Sequence, residues 1–297
     1  VNDDSSAYAL DKSWIRRSFD RASASYDTAA VLESDVRNVL LERLELTRMM
    51  PRVVIDVGAG TGHASRALQR RYPRAMVIAV DFSFGMVRAS GRQRSWLRRF
   101  GRVCAAAEGL PLADGSVDLI FCNFMLQWTQ LDAAFAEFRR VLAPRGLLTF
   151  TTLGPDSLRE LRNAWIAVDA HPRVSQFFDM HDIGDALVRA GFAAPVLDVD
   201  RYTVYYADVA RLAADLKAIG ARNATAGRPK GMTTPRKFAA MQAAYERFRV
   251  DERLPATYEV VFGQAWAPAT AAPGRGSGDA NVSLADFKRQ LAARRGA

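Results

Sequence analysis

The chain has 297 residues, 49% of them hydrophobic, with a formal net charge of +9. That length suits one three-layer α/β unit with insertions, and no apolar run approaches a membrane span. The charge invites a nucleic-acid partner, but no aromatic-interleaved basic stripe accompanies the arginines, so none is expected. The first fifty residues are expected to be helical: Leu32, Val36, Val39, Leu40 and Leu44 fall at helical spacing, and Pro51 closes the segment. Strands are then expected at 53–57, 76–81, 102–105, 117–122 and 147–152, with helices at 63–72, 83–90 and 131–143 between them. Apolar strands separated by helices imply a parallel sheet covered on both faces. Pro144-Arg145-Gly146 reads as the helix stop and turn before the fifth strand.

Past Gly154-Pro155 the regularity loosens. Helices are expected at 156–168, 180–190, 207–219 and 236–249, a strand at 196–206, and an irregular excursion over 220–235. A last strand at 258–265 should close the sheet. Residues 268–297 read as a flexible Ala/Pro/Gly-rich tail with a weak helix at 283–293.

Residues 1–10 are polar and acidic, without a basic start or an apolar stretch, so no secretory signal is expected. Cys104 and Cys122 lie in apolar runs and read as small buried hydrophobes of a reducing, cytoplasmic compartment. The scattered His63, His171 and His181 predict no metal site. Arg92, Arg94, Arg98 and Arg99 form one basic cluster, and Arg222, Arg228, Lys230, Arg236 and Lys237 another. Both read as solvated surface or as a positive face for an anionic substrate or acidic protein. Nothing in the sequence requires more than a monomer.

The most informative run is Val53-Val54-Ile55-Asp56-Val57-Gly58-Ala59-Gly60-Thr61-Gly62. A buried strand, a Gly-rich turn and a helix N-terminus make a place where backbone approaches a nucleotide-like ligand closely. The dinucleotide fingerprint would put its third glycine at position 63, which is His63. A pyrophosphate also wants no carboxylate nearby, whereas a cationic ligand tolerates Asp56. Asp81, about twenty residues on, can accept both hydroxyls of a ribose. It can equally cap the following helix. Asn123-Phe124-Met125-Leu126-Gln127-Trp128 follows the fourth strand, where open α/β sheets bind ligands. Gln127 and Trp128 there either border a reaction channel or pack the next helix.

The G-x-G-x-G spacing with Asp56 resembles the first motif of class I S-adenosylmethionine-dependent methyltransferases. The resemblance implies a Rossmann-like α/β fold with a seven-stranded, mostly parallel sheet. It also implies S-adenosylmethionine as cofactor, held by Asp56, Gly58, Ala59, Gly60, Gly62, Asp81, Phe82, Ala107, Glu108 and Asn123. An acid that meets the adenine amino group in that class should stand at position 106, which is Ala106. Adenine is then expected to rest on backbone N–H near Ala107 and on apolar packing, with Glu108 a substitute.

Ile15-Arg16-Arg17-Ser18-Phe19-Asp20-Arg21-Ala22 with Ser25-Tyr26-Asp27, the Asn123 to Trp128 loop, Phe150 to Leu161, and Leu216 to Asn223 are similar to the malonyl-[acyl-carrier protein] O-methyltransferases of biotin synthesis. The similarity spans residues 12–268. It implies methyl transfer to the free carboxylate of a malonyl thioester on acyl carrier protein or coenzyme A. Tyr26 is the first candidate to hold that carboxylate, with Arg222 and Arg159 behind it and Gln127 and Trp128 lining the channel. The implied organisation is a single domain over 1–267: a helical cap (1–50), a cofactor-binding core (51–153), and a substrate and lid region (154–267). Leu254 to Glu259 and the tail also resemble methyltransferase-fold assembly factors of respiratory complex I, which modify arginine. The missing acid at 106 leaves a non-catalytic binding role open as well.

Overall fold

The computed structural model describes residues 10–93, 99–229 and 231–269. Arg94, Arg98, Lys230, the first nine residues and the stretch from 270 onward lie outside the described residues. Among the described residues, three helices come first: α1 (Lys12–Ala22), α2 (Tyr26–Ala29) and α3 (Val31–Arg43). The sheet strands are β1 (Val53–Val57), β2 (Met76–Asp81), β3 (Gly101–Cys104), β4 (Val117–Asn123), β5 (Leu142–Leu153), β6 (Ala193–Tyr206) and β7 (Leu254–Trp266). Helices α4 (His63–Arg71), α5 (Phe84–Ser90), α6 (Leu131–Val141), α7 (Arg159–Ile166), α8 (Met180–Arg189), α9 (Val209–Ala218) and α10 (Pro235–Tyr245) connect them.

The seven strands lie in the order β3-β2-β1-β4-β5-β7-β6. Only β7 runs antiparallel, against both β5 and β6. Alternation along the strands builds the two faces. Val54, Leu119, Leu147 and Val260 pack under Val36, Leu40 and Leu68 of α3 and α4. Their neighbours Ile55, Ile120, Leu148 and Val261 pack on the other face against Phe135, Phe138, Ile183 and Leu187 of α6 and α8. A third cluster, around Trp165, Leu212, Met241 and Tyr245, seats α7, α9 and α10 on the far ends of β6 and β7. The sheet class and its covering on both faces match the expectation from sequence.

Three local expectations are corrected. Pro144-Arg145-Gly146 lies inside β5, because Leu142 already pairs with Val117 and the ladder resumes at Leu147 opposite Leu119. Arg145 takes φ +62° there, and the end of β7 binds the irregular residues through Arg145 N–H to Ala267 O (3.1 Å) and Ala267 N–H to Gly146 O (2.8 Å). Cys104 is exposed and only Cys122 is buried, since β3 is an edge strand. The last strand begins at Leu254, four residues earlier than the expected 258.

The N-terminal helices are tied to both the core and the late helical region. Asp20 of α1 accepts from Ser83 Oγ (2.6 Å) and Gly85 N–H (2.8 Å) at the start of α5. Asp11 N–H donates to Ala224 O, the Asp11 carboxylate accepts from Arg228 at 2.9 Å, and Ser25 Oγ donates to Ala218 O. Residues 10–30 therefore roof the carboxyl ends of β1, β2 and β4.

Candidate active site

Tyr26 stands where three cavities meet. The first, about 680 Å³, opens at the carboxyl ends of β1, β2 and β4 and is lined by Gly58, Gly60, Asp81, Phe82, Ala107 and Asn123. This is the point where strand order reverses between β1 and β4, the usual ligand crevice of an open α/β sheet. The second, about 770 Å³, holds Glu33, Gln127, Trp128, Arg173, Arg222 and Tyr258. The third, about 670 Å³, holds Glu33, Arg37, Asp56, Ala59, Thr61 and His63.

The Gly-rich turn is pinned from two sides. Asp81 Oδ2 accepts from Gly60 N–H and Oδ1 from Ser83 N–H, both at 2.8 Å. Asp81 is thus a brace between turn and helix, and Ser83 is the residue that caps α5. From above, Asp27 of α2 accepts from Thr61 Oγ1 at 2.6 Å and faces His63 Nε2 at 3.3 Å. Asp56 is buried at the end of β1 and accepts from Ser65 Oγ at 2.5 Å.

Burial pushes the carboxyls of Asp56 and Glu33 up to about 7 and that of Asp81 up to about 6. Burial raises the Tyr26 hydroxyl well above its ordinary value, and the nearby Glu33, Asp81 and Asp27 carboxylates add to this. Tyr26 is therefore neutral and a hydrogen-bond donor. The cluster of desolvated acids favours a cationic ligand, while Arg37 in the third cavity can meet a carboxylate. Together they suit an amino-acid zwitterion. The first cavity adds Asp81 for a ribose and the apolar Phe82, Met86, Ala105 and Met125 for a base. Gly58 and Gly60 take φ +75° and +53°, and a Cβ on Gly60 would meet open space, which lets a ligand lie close to the turn. These features fit S-adenosylmethionine, with Asp81 for the ribose and Glu33, Arg37 and Asp56 around the methionine end.

Phe124 occupies φ +51° directly after β4. Its N–H donates to Thr151 O, with Thr151 Oγ1 also 3.1 Å away. Thr151 Oγ1 in turn donates to Asn123 Oδ1 (2.8 Å), and Asn123 Nδ2 donates to Glu33 O (3.1 Å). This network holds a strained backbone where the first two cavities meet. Phe19 and Trp128 form the wall there, edge to face at 5.4 Å. Gln127 is buried in the second cavity and accepts from Thr152 Oγ1 at 3.2 Å.

Three sequence candidates stand differently from their expected roles. Gly62 caps α4 at φ +87°, where a Cβ would strike Ser90, and it lines none of the three cavities. Its place is a packing one. Glu108 lines the first cavity, but Oε1 is bonded to Lys12 Nζ and to Gln130 N–H. Lys12 also donates to Trp128 O, so Glu108 fastens α1 across the cavity mouth through Oε1, which leaves Oε2 as its remaining acceptor. Arg159 lies beside Glu160 with its side chain half exposed and lines none of these cavities.

Sequence reasoning missed Glu33, Arg37 and Arg173. Glu33 and Arg37 share one side of α3 at helical spacing, next to the apolar face that was read as core. Arg173 sits in a non-periodic segment and carried no signal. Among the described residues no cluster of His, Cys, Asp and Glu could hold a metal ion, and no helix is long and apolar enough to cross a membrane.

Strand order, glycine turn, the acid at the end of β2 and a crevice for a nucleoside joined to a zwitterion define a class I S-adenosylmethionine-dependent methyltransferase. The methyltransferase-domain family matches residues 55–150. A phosphoethanolamine N-methyltransferase of Haemonchus contortus, solved with S-adenosylhomocysteine, shares the fold with a TM-score of 0.53 at 15% identity, over 86% of this chain and 60% of that one. Malonyl-[acyl-carrier protein] O-methyltransferases of Methylovorus sp. (strain MP688) and Laribacter hongkongensis (strain HLHK9) are 52% and 51% identical to the chain. These matches cover 88% of this chain and 91% of the first relative, and 89% and 92% for the second. The chain belongs to the malonyl-[acyl-carrier protein] O-methyltransferase family.

Proposed function

We propose that the protein methylates the free carboxylate of a malonyl thioester on acyl carrier protein, in the cytoplasm, as an early step toward the pimeloyl chain of biotin. The observation that carries this reading is the junction at Tyr26, which lines both the cofactor cavity and the neighbouring cavity that contains Arg222. Among the described residues the Arg222 guanidinium makes no hydrogen bond or ion pair, whereas Arg173 in the same cavity is bound to Asp169 at 2.5 Å. Arg222 is thus the cation that a carboxylate substrate can use.

When bound, S-adenosylmethionine supplies a methyl on a sulfonium sulfur that leaves as a neutral thioether. A malonyl carboxylate, with a pKa of about 4, is already ionised at neutral pH and needs no general base. The chain's residues have only to place it. Arg222 draws the carboxylate in, and neutral Tyr26 donates a hydrogen bond to the oxygen that does not react. The Phe19–Trp128 wall and the roof of α1 keep water off the nucleophile, which raises its reactivity. The ester product is uncharged, so it loses its attraction to Arg222 and can leave. On this reading the N-terminal helices and the helical insertion over 207–250 form the lid of a single domain, and β6 and β7 close the sheet beside its cofactor-binding core.

The test is mass spectrometry of malonyl-carrier protein incubated with enzyme and S-adenosylmethionine, where a gain of one methyl on the malonyl group is expected. Restored growth of a biotin auxotroph lacking this step is the cellular counterpart. Calorimetric binding of S-adenosylmethionine without any methyl gain would overturn the substrate assignment.

A further inference from the structure

The substrate cavity does not end at Arg222. Three of its wall residues, Arg173, Val174 and Phe177, also line a surface groove of about 1450 Å³ that shares no residue with the cofactor cavity. The substrate cavity thus shares Tyr26 and Trp128 with the cofactor cavity and Arg173, Val174 and Phe177 with the groove, so the three are neighbours in that order. The groove is built by the second half of α7 and the segment that leads from it toward α8, with Pro155 among its lining residues.

Its charge is one-sided. The lining carries Arg162 and Arg173 against one acid, Asp169. Lys237 Nζ lies 3.1 Å from the same Asp169, so two cations share that acid, and together they hold its carboxyl far below the usual range. Arg162 donates only to backbone carbonyls, Pro155 O at 2.9 Å and Ser157 O at 3.0 Å; burial lowers its pKa, and the nearby Asp156 carboxylate opposes this. Arg236, exposed in the first turn of α10 beside Lys237, has no acidic partner among the described residues. Apolar Ile166 is exposed within the groove at 68%.

Building on the carboxyl-methyltransferase reading, we propose that this groove is the docking surface for the carrier protein. An acidic face of the partner meets Arg162 and Arg236, and its thioester arm passes between Arg173 and Phe177 to Arg222. A substrate tethered to a protein cannot be engulfed, and it needs an open path from the reacting atoms to the surface. This groove shares a wall with the substrate cavity, and the excess of Arg162, Arg173 and Lys237 over Asp169 complements an acidic protein.

The experiment compares two substrates: malonyl-carrier protein and malonyl-pantetheine, which carries the same thioester without protein or phosphate. Arg236→Glu is the main variant, since an acid in the first turn of a helix favours the helix dipole and leaves the fold intact. Arg162→Gln is the second. Each should raise KM for malonyl-carrier protein by about tenfold and leave kcat and all malonyl-pantetheine kinetics unchanged. Raising the salt should raise the wild-type KM for the carrier protein far more than for malonyl-pantetheine, and less so in the variants. An unchanged carrier-protein KM, or equal changes with both substrates, would overturn the docking surface. Failure of the wild-type enzyme on both substrates would instead strike at the methyltransferase reading beneath it.

Discussion

Asp20 Oδ1 lies 2.6 Å from Ser83 Oγ, joining the first helix to the residue that caps α5 beside the cofactor crevice. The same oxygen accepts from Gly85 N–H. Ser83 also stands next to Phe82 in the crevice wall. One carboxylate thus fixes α1, the roof of the crevice, to the helix that follows Asp81. Asp20→Ala should cost about 1–2 kcal/mol of stability, since it orphans a backbone donor and a hydroxyl. It should also weaken S-adenosylhomocysteine binding severalfold by loosening α1. Urea melts and calorimetry check the two effects separately, and an unchanged affinity would mean that α1 does not hold the ligand.

Gly58 and Gly60 should fail in different ways when each is replaced by alanine. A Cβ at Gly58 would lie 2.5 Å from Cβ of Met125, a clash with the β4 loop that the backbone must move to relieve. Gly58→Ala is expected to lower the melting temperature clearly. At Gly60 a Cβ meets no atom within 4 Å, so only the cost of a left-handed residue remains, about 1 kcal/mol. Its methyl would project beside the ligand, so Gly60→Ala should lose cofactor affinity out of proportion to its stability.

What could be read in the sequence was what is local. Strand alternation, the glycine spacing and Asp81 all depend on neighbours in the chain, and the sheet follows from them. The start of β7 was hidden because Pro255 reads as a breaker. In the fold, β7 runs beyond the end of β5, whose pairing stops at Val260, so Pro255 lies on a free edge and needs no donor there. Cys104 was misread because exposure depends on β3 being the outermost strand, which no local pattern encodes. Arg173 reaches the second cavity from a loop, and its position comes from Asp169 and from Trp165, whose ring it covers at 4.5 Å.

Asp81→Ala is expected to weaken S-adenosylhomocysteine binding by about 1–3 kcal/mol, the cost of ribose hydrogen bonds left unmade. The substitution also strips the partner from Gly60 N–H and Ser83 N–H, so stability should fall too. Asp81→Asn separates the two. It retains a carbonyl oxygen for one backbone donor but cannot accept at both atoms, and so should recover stability more than affinity. Equal recovery of both would reduce Asp81 to a brace.

Glu33, Asp56 and Asp81 set the pH response of the site. Burial holds their carboxyls at about 7, 7 and 6, against about 4 in an unfolded chain. As pH rises from about 4, the unfolded chain loses these protons first, while the folded protein keeps them, so the stability they lend declines until pH reaches their folded values and levels off above. Melting temperature measured from pH 5 to pH 8 should carry this downward component, and substituting Glu33→Gln should shrink it. A cationic ligand reverses the preference, because it stabilises the ionised carboxylates. Binding S-adenosylmethionine near neutral pH should therefore release protons, and affinity should rise between about pH 5.5 and 7.5. Calorimetry in two buffers of different ionisation enthalpy measures the proton count directly. S-adenosylhomocysteine, which lacks the sulfonium charge, should release fewer. Net proton uptake would show that the ligand's positive end does not face these acids.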